Sequence, residues 1–260
     1  MKVSRAYIER FAEYLETVNA AAKKTIVTLD KKRHFVELLS EKGDLGRDEI
    51  AQAISEVCGT YHQLASALTC EFYNGIRQAE VLPATFDATV WQGYDKQEVL
   101  RAVNAVCDEV RQGRNTKPLV DLLSDIAARE NRKSHEGTVK YNASRDPAKP
   151  RYAIVPNGDA CAFCIMRASN GYTYPDKVQG IKSHSHCTCV ATPVFGKSKV
   201  QGYDPSAYLD KYNEAAEALR NGAISDELKS RIAHQEEMKG KDFDRTNAVL
   251  MVMREQQGIK

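Results

Sequence analysis

The sequence predicts an α+β protein with a helical first half, a short segment that carries the strands, and a helical C-terminal extension. Three observations support this fold class. Apolar residues recur every three or four positions through the first half, β-branched segments flank a group of cysteines and histidines, and capped amphipathic segments follow residue 200. We therefore divide the chain into domains at residues 1–135, 136–200 and 201–260.

Four amphipathic helices account for the first half. Residues 4–22 carry one apolar stripe, and a longer stripe runs from Asp48 to Arg77. Asp95 is placed to cap a third helix that ends at "RQGRN". Thr116, followed by Pro118, is expected to open a fourth helix, because proline in the first turn loses no hydrogen bond. These residues predict a helical bundle domain.

Several residues of chemical interest lie on these predicted helices but are interpreted as core residues. Cys58, Cys70 and Cys107 fall among apolar positions, where a free cysteine behaves as a small buried hydrophobe. His62 and Trp91 are not assigned a ligand role either. A single histidine beside an apolar stripe is usually packed or solvated, and a single tryptophan is more often an anchor than a platform for a ligand.

The stretch from Asn131 to Arg151 is predicted to be a polar, basic linker or irregular hairpin at a domain boundary. A solvated surface is the simpler explanation of its charge, and contact with nucleic-acid phosphate is the alternative. The candidate phosphate-binding residues are the six basic ones, Arg132, Lys133, Lys140, Arg145, Lys149 and Arg151.

Two strands are predicted around the cysteine-rich window. "RYAIVP" has the alternation and β-branched content of a strand, and "CVATPVF" is interpreted as a second one. Beyond residue 200, "DPSAYLDKYNEAAEALRNG" and "SDELKSRIAHQEEMKG" have the capping residues of two helices. A final apolar patch, Ala248 to Met253, is expected to dock on another part of the chain.

The window between the two strands predicts a zinc site. Cys161 and Cys164 form a Cys-x-x-Cys pair, His184 and Cys187 repeat the spacing, and Cys189 supplies a further thiolate. Two ligand pairs joined by a loop are typical of structural zinc sites, which add folding free energy to small domains. The preferred ligands are Cys161, Cys164, His184 and Cys187, with Cys189 as the leading substitute, and His186 is expected to point away. The middle segment is therefore predicted to be a small zinc-stabilised α+β domain.

Catalytic uses of the same residues fit less well. A zinc deaminase needs His-x-Glu and Pro-Cys-x-x-Cys, whereas here Glu136 directly follows His135 and no proline precedes Cys161. A thioredoxin-like pair needs a βαβ unit, and the second cysteine group argues against one. A Cys/His nucleophile pair stays open as a third alternative.

Composition restricts the class of protein. The formal net charge is +2, so no global attraction to nucleic acid or membranes is implied. The charged N-terminus does not resemble a signal peptide, and no apolar run is long enough to span a membrane. We therefore expect a protein made in a reducing cytoplasm, where clustered cysteines favour metal or redox chemistry over disulfides.

The cysteine window resembles the MuF-like minor capsid proteins of tailed bacteriophages, in the form found in phages and prophages of Gram-positive hosts. The resemblance covers residues 150 to 196. It rests on Val155, Pro156, Cys161, Phe163, Cys164, Met166, Ala168, Ser169, Gly171, Tyr174, His184, Cys187 and Cys189. Asn170 departs from the arginine often found there, which affects surface charge more than the site.

The resemblance implies a low-copy virion component that acts in procapsid assembly near the portal and could be ejected with the DNA. Its expected partners are the portal protein, the major capsid protein or scaffold, and packaged DNA, with no membrane. It would occupy the host cytoplasm during assembly and the virion afterwards. Because no nucleophile, base and orienting acid stand out, a non-enzyme is expected. The alternatives are a cysteine- or metal-dependent hydrolase resembling capsid maturation proteases, and a toxin-associated phage protein.

Overall fold

The first half forms five helices in the computed structural model, which describes residues 2–80, 85–158, 160–175 and 187–259. They are α1 (Arg5–Arg33), α2 (Phe35–Lys42), α3 (Asp44–Ala79), α4 (Lys96–Arg111) and α5 (Leu119–Arg145). The predicted helical bundle is thus present. The first helix is longer than its predicted range of 4–22, and α2 had no counterpart in the prediction. The Asp95 side chain accepts a hydrogen bond from the Glu98 N–H and caps α4 as expected.

The start of α5 differs from the prediction. Pro118, and not Thr116, occupies the capping position, and it makes no side-chain capping bond. The Pro118 backbone, with φ −54° and ψ 133°, is not helical, and its carbonyl accepts hydrogen bonds from the N–H groups of Asp121 and Leu122. Proline therefore sets the entry into the helix without a hydroxyl cap.

The prediction of a linker at 131–151 is wrong as far as Arg145, because α5 continues through it. Its polar residues Asn131, Ser134, His135, Thr138 and Asn142 are buried between neighbouring elements instead of solvated. Each of them forms at least one hydrogen bond there, which offsets most of the cost of burying polar groups, although Asn131 Oδ1 has no partner among the described residues. The predicted boundary at 135/136 consequently lies inside α5, although the division into three domains itself stays a prediction.

Both predicted strands are present and pair with each other. Strand β2 (Arg151–Val155) runs antiparallel to β3 (Val190–Val194), with Arg151 opposite Val194 and Val155 opposite Val190. The β2–β3 pair, which is called the hairpin below although α6 lies between its strands in sequence, lies against α5, α3 and α1. A second, very short pair joins β1 (Lys2–Val3) in parallel to β4 (Lys199–Val200), so that the start of the sequence is tied to the region after the hairpin.

One hydrophobic core links the bundle to the hairpin. Phe11 of α1 stacks on Phe72 of α3, with ring centroids 4.1 Å apart, and the same cluster contains Val155, Val190 and Val194. A second cluster fills the space between α2, α3, α4 and the first half of α5. The cysteine-bearing segment is therefore built directly onto the helices of the first half.

The C-terminal part is helical as predicted. Short helix α6 (Ala162–Ala168) belongs to the cysteine segment, and α7 (Pro205–Arg220), α8 (Asp226–Lys239) and α9 (Arg245–Gln256) follow. Asp204 and Ser225 cap α7 and α8. The apolar patch at 248–253 is buried against α6, α7 and α8, which confirms that it docks. No helix in the described parts of the chain is both long and apolar enough to cross a membrane.

Candidate metal centre

Four cysteines converge where α6 meets the hairpin. Cys161 occupies the N-terminal capping position of α6 and Cys164 lies in its first turn. Cys187 and Cys189 come immediately before β3, whose pairing with β2 sets their position. The Sγ atoms of Cys164, Cys187 and Cys189 all lie within 4.8 Å of one another, and the Cys161 sulfur lies 3.3 Å from that of Cys164.

The spacing of the sulfurs is suited to a shared cation. Cys164 and Cys187 are 3.2 Å apart at Sγ, and no cysteine of the chain is in a disulfide. A zinc–sulfur distance of about 2.3 Å places tetrahedral thiolates about 3.8 Å apart. The Cys161–Cys164 and Cys164–Cys187 sulfur pairs would thus need to separate by only about half an ångström to surround zinc. The residues present fit such an ion.

The cysteine cluster is shielded from solvent. Cys164, Cys187 and Cys189 are buried, and Cys161 is partly exposed. Hydrogen bonds from Cys161, Cys187 and Cys189, together with burial, raise the pKa of the Cys164 thiol. Without a cation the Cys164 thiol would therefore stay protonated, whereas a bound metal reverses that preference and holds a thiolate.

A buried ion pair borders the cysteines. The Arg167 guanidinium of α6 donates a hydrogen bond of 2.6 Å to the Glu136 carboxylate of α5. Both side chains are largely buried. Burial alone would lower the pKa of Arg167, but Glu136 and, to a smaller extent, Cys187 raise it. The arginine thus offers a positive charge beside sulfurs that would be negative in a metal-bound state.

His135 fixes the strand that carries two of the cysteines. Its Nε2 accepts a hydrogen bond of 2.9 Å from the Ala191 N–H, two residues after Cys189. Its Nδ1 lies 3.0 Å from the Thr69 hydroxyl, which itself donates to the Ala65 carbonyl. Because Nε2 accepts, Nδ1 carries the proton and donates to Thr69. Burial, and then Arg132, lower the pKa of His135 to about 3, so the ring is neutral.

His135 and Glu136 are the supporting residues that the sequence prediction missed. From the sequence alone they are interpreted only as a possible deaminase signature. In the structure, Nε2 of His135 accepts a hydrogen bond from the Ala191 N–H, so it cannot also bind a metal. The small residues around them, Ser134, Gly137 and Thr138, were an available sign that this segment packs closely. The antiparallel β2–β3 pair also differs from the parallel strands of a thioredoxin-like βαβ unit.

The predicted ligands are only partly covered by the structure. Cys161, Cys164 and Cys187 are brought together, and Cys189, predicted as a substitute, belongs to the compact group of three. His184 and His186 lie outside the described residues. Cys58, Cys70 and Cys107 are buried in the helical half, where burial raises the pKa of the Cys58 and Cys107 thiols to about 12. His62 is buried there as well, beside the Trp91 ring.

The six basic residues considered for phosphate binding have different surroundings. Arg132 is buried and pairs with Glu16, and Lys133 donates to Glu98 at 2.6 Å. Arg145 lies over the Tyr141 ring and donates to Thr89. The others are Lys140, partly buried on α5, Lys149, exposed after α5, and Arg151 at the start of β2.

Comparison with known proteins gives one match. The sequence model of the family described as "VG15 protein" matches residues 2–215, which include the helical half, the cysteine cluster and most of α7. No curated protein and no solved structure matches the chain. Since the match spans well over half of the sequence, the chain belongs to the VG15 protein family, a family of phage gene products.

Proposed function

We propose that the protein is a minor capsid and head morphogenesis protein, present in few copies, that acts in procapsid assembly near the portal. The observation that carries this proposal is membership of the VG15 family over residues 2–215. The resemblance of residues 150 to 196 to MuF-like minor capsid proteins supports the finer assignment. Its partners are the portal protein, the major capsid protein or scaffold, and it passes from the host cytoplasm into the virion.

We propose that zinc closes the cysteine cluster as a structural ion. Cys164, Cys187 and Cys189 supply three ligands, and Cys161 is the fourth because its sulfur already contacts that of Cys164. Four protein ligands leave no position for a reacting water, which distinguishes structural from catalytic zinc. The ion would tie α6 to the hairpin, and so join the tail helices to the bundle.

We propose a non-enzymatic role, which the same arrangement supports. His135 interacts electrostatically with Cys187, but both of its ring nitrogens are engaged, by Thr69 and by the Ala191 N–H. It is therefore not placed to act as a base for a cysteine nucleophile. Cys164, Cys187 and Cys189 are also buried, which limits the access of a substrate to their sulfurs.

The assembly role is tested in the phage that encodes the protein. A phage with an amber codon in place of Trp91 is grown in a suppressor host and in a non-suppressor host. The particles from each infection are separated by sedimentation and counted by electron microscopy. We expect fewer DNA-filled heads without suppression, and mass spectrometry should find the protein in procapsids from suppressed infections. Normal heads that never contain the protein would contradict the proposal.

The metal is tested by elemental mass spectrometry on the purified chain. We expect one zinc per chain, lost in Cys164→Ser and in Cys161→Ser and retained in Cys107→Ser, a buried cysteine in the helical half. A His184→Ala variant identifies the fourth ligand. If zinc is lost in His184→Ala but retained in Cys161→Ser, the fourth ligand is His184 and not Cys161. A folded wild-type protein without metal would refute the zinc site.

A further inference from the structure

A basic cleft lies beside the hairpin, on a surface that the proposed function does not use. Its lining contains three cations and two tyrosines, and none of its described residues is acidic. The residues that define it are Arg151, Lys197, Lys199, Tyr172 and Tyr174. The cleft is open to solvent, so it is shaped for an extended ligand more than for an enclosed small molecule.

A fourth cation adjoins the basic cleft through strand pairing. Lys2 is the register partner of Lys199 in the parallel β1–β4 pair, and both side chains are exposed, whereas Val3 and Val200 face inward. Neighbouring strands are only about 4.8 Å apart. Like charges placed side by side on one face of a sheet are unfavourable. An anionic ligand would remove this repulsion.

The alternation of the chain keeps the lysines outward. Ser198, between Lys197 and Lys199, is buried and donates a hydrogen bond of 2.8 Å to the Glu80 carboxylate. The two flanking lysines are exposed, and within the described residues neither forms an ion pair. Glu80 is thus engaged on the inner side of this segment while the positive charges face solvent.

Arg151 is held in place at the cleft. Its guanidinium donates through Nη2 to the Gly196 carbonyl at 2.9 Å and lies 5.1 Å from the centre of the Tyr172 ring. Tyr172 is itself fixed, because its hydroxyl accepts from the Val200 N–H at 2.9 Å and its ring meets Tyr203 edge-on. An arginine has five N–H donors, so this anchoring leaves capacity for phosphate oxygens.

We propose that the basic cleft, with Lys2, binds the phosphate backbone of nucleic acid without reading its sequence. Exposed lysines next to a fixed arginine supply the cations that contacts with phosphate need, and such contacts position a protein on nucleic acid without reading its sequence. Tyr172 acts as a positioning residue for Arg151. The proposal goes beyond the assembly role and does not depend on it, because binding is measured on the isolated chain.

The test is fluorescence anisotropy of the full-length protein with a labelled DNA duplex and with a single strand of the same length, from about 50 to about 200 mM salt. We expect affinity to fall as salt rises. In Lys197→Gln/Lys199→Gln, the slope of log affinity against log salt should shrink by about 2, and affinity at low salt should fall about tenfold. The matched control, Lys31→Gln/Lys32→Gln, removes the same charge at the far end of α1 and should bind like the wild type.

Several outcomes would overturn the proposal. One is equal weakening in the control variant, which would mean attraction by total charge alone. Another is full competition by inorganic phosphate at constant ionic strength, which would indicate a site for a single phosphate. Binding of a glutamate-rich peptide as tightly as DNA would assign the cleft to an acidic protein. Tyr172→Leu provides a second check, because it should weaken DNA binding with the lysines intact, while Tyr14→Leu, on the exposed face of α1, should not.

Discussion

Helix α4 and the second half of α5 bury their inner faces in different ways. Helix α4 buries Val99, Val103 and Cys107, which are all apolar. The second half of α5 buries a run of polar side chains that are hydrogen bonded to α3, to β3 and to the segment before α4. An apolar face can be repacked at modest cost, whereas a polar face depends on each partner being present. The two helices should therefore respond differently to similar substitutions.

The largest effect is expected at the C-terminal end of α5. Asp146 is fully buried and receives hydrogen bonds from Arg77 Nε at 2.9 Å and from the Tyr73 hydroxyl at 3.1 Å. Arg77→Met removes the cation and leaves a buried carboxylate uncompensated, which should lower the free energy of unfolding by about 3–5 kcal/mol. Urea unfolding of the purified protein measures it.

The double variant Arg77→Met/Asp146→Leu sharpens this result. Removing both charges should recover part of the loss, because the penalty comes mainly from the unpaired carboxylate. If the single variant were no less stable than the double one, the ion pair would not contribute as described.

The second prediction concerns His135. His135→Leu keeps much of the volume but leaves the Ala191 N–H without its acceptor, at a cost of about 2–3 kcal/mol. Cys107→Ala in α4 removes one small buried group and should cost about 1 kcal/mol. Thermal and urea unfolding of both variants compares the two faces directly. Equal stability of His135→Leu and wild type would remove the distinction between the helices.

The pH dependence of stability gives an independent measure of His135. Its pKa is about 3 in the folded protein, below the ordinary value of 6.5, so the unfolded chain binds a proton that the folded protein does not. Stability from this group is therefore complete above pH 6.5 and declines as the pH falls toward 3, by at most about 1.4 kcal/mol per pH unit. The difference between wild type and His135→Leu should shrink over this range. A constant difference would mean that His135 does not titrate as described.

The smallest effect is expected at Glu130, and it has the opposite sign. Both carboxylate oxygens are buried without a hydrogen bond among the described residues, and the nearest Lys133 and Arg129 nitrogens lie 3.9 and 3.8 Å away. Burial raises the pKa of Glu130, so its charged form costs stability as the pH rises above the ordinary 4.5. Glu130→Gln should therefore stabilise the protein by about 1 kcal/mol at neutral pH, with the gain lost below 4.5.

A matched control for Glu130 is Glu56→Gln on the exposed face of α3. It removes the same charge from solvent and should change stability by less than about 0.5 kcal/mol. Urea unfolding at neutral and acidic pH is the measurement for both. A loss of stability in Glu130→Gln would show that the carboxylate has a partner that favours its charge.

The contrast between the two helices also explains what could be predicted from the sequence. Periodicity found α3 and α4 because their inner faces are apolar, and the strands beside the cysteines were marked by β-branched residues. Periodicity missed the second half of α5, because its polar residues look like linker residues until their partners are known. Asn142, for example, accepts a hydrogen bond from the Thr89 N–H and donates one to the Thr89 carbonyl. The cysteine grouping was visible from spacing alone, but the roles of His135 and Glu136 depend on contacts with β3 and α6 that spacing does not reveal.

The pairing of Lys2 with Lys199 also matters for how the chain is made. Strand β1 is synthesised long before its partner β4. At a translation rate of about 5–20 residues per second, the interval between the two is roughly 10–40 s. Val3 of β1, which belongs to the core shared with the hairpin, stays uncovered for that time. Completion of this core therefore has to wait until residue 200 has been synthesised.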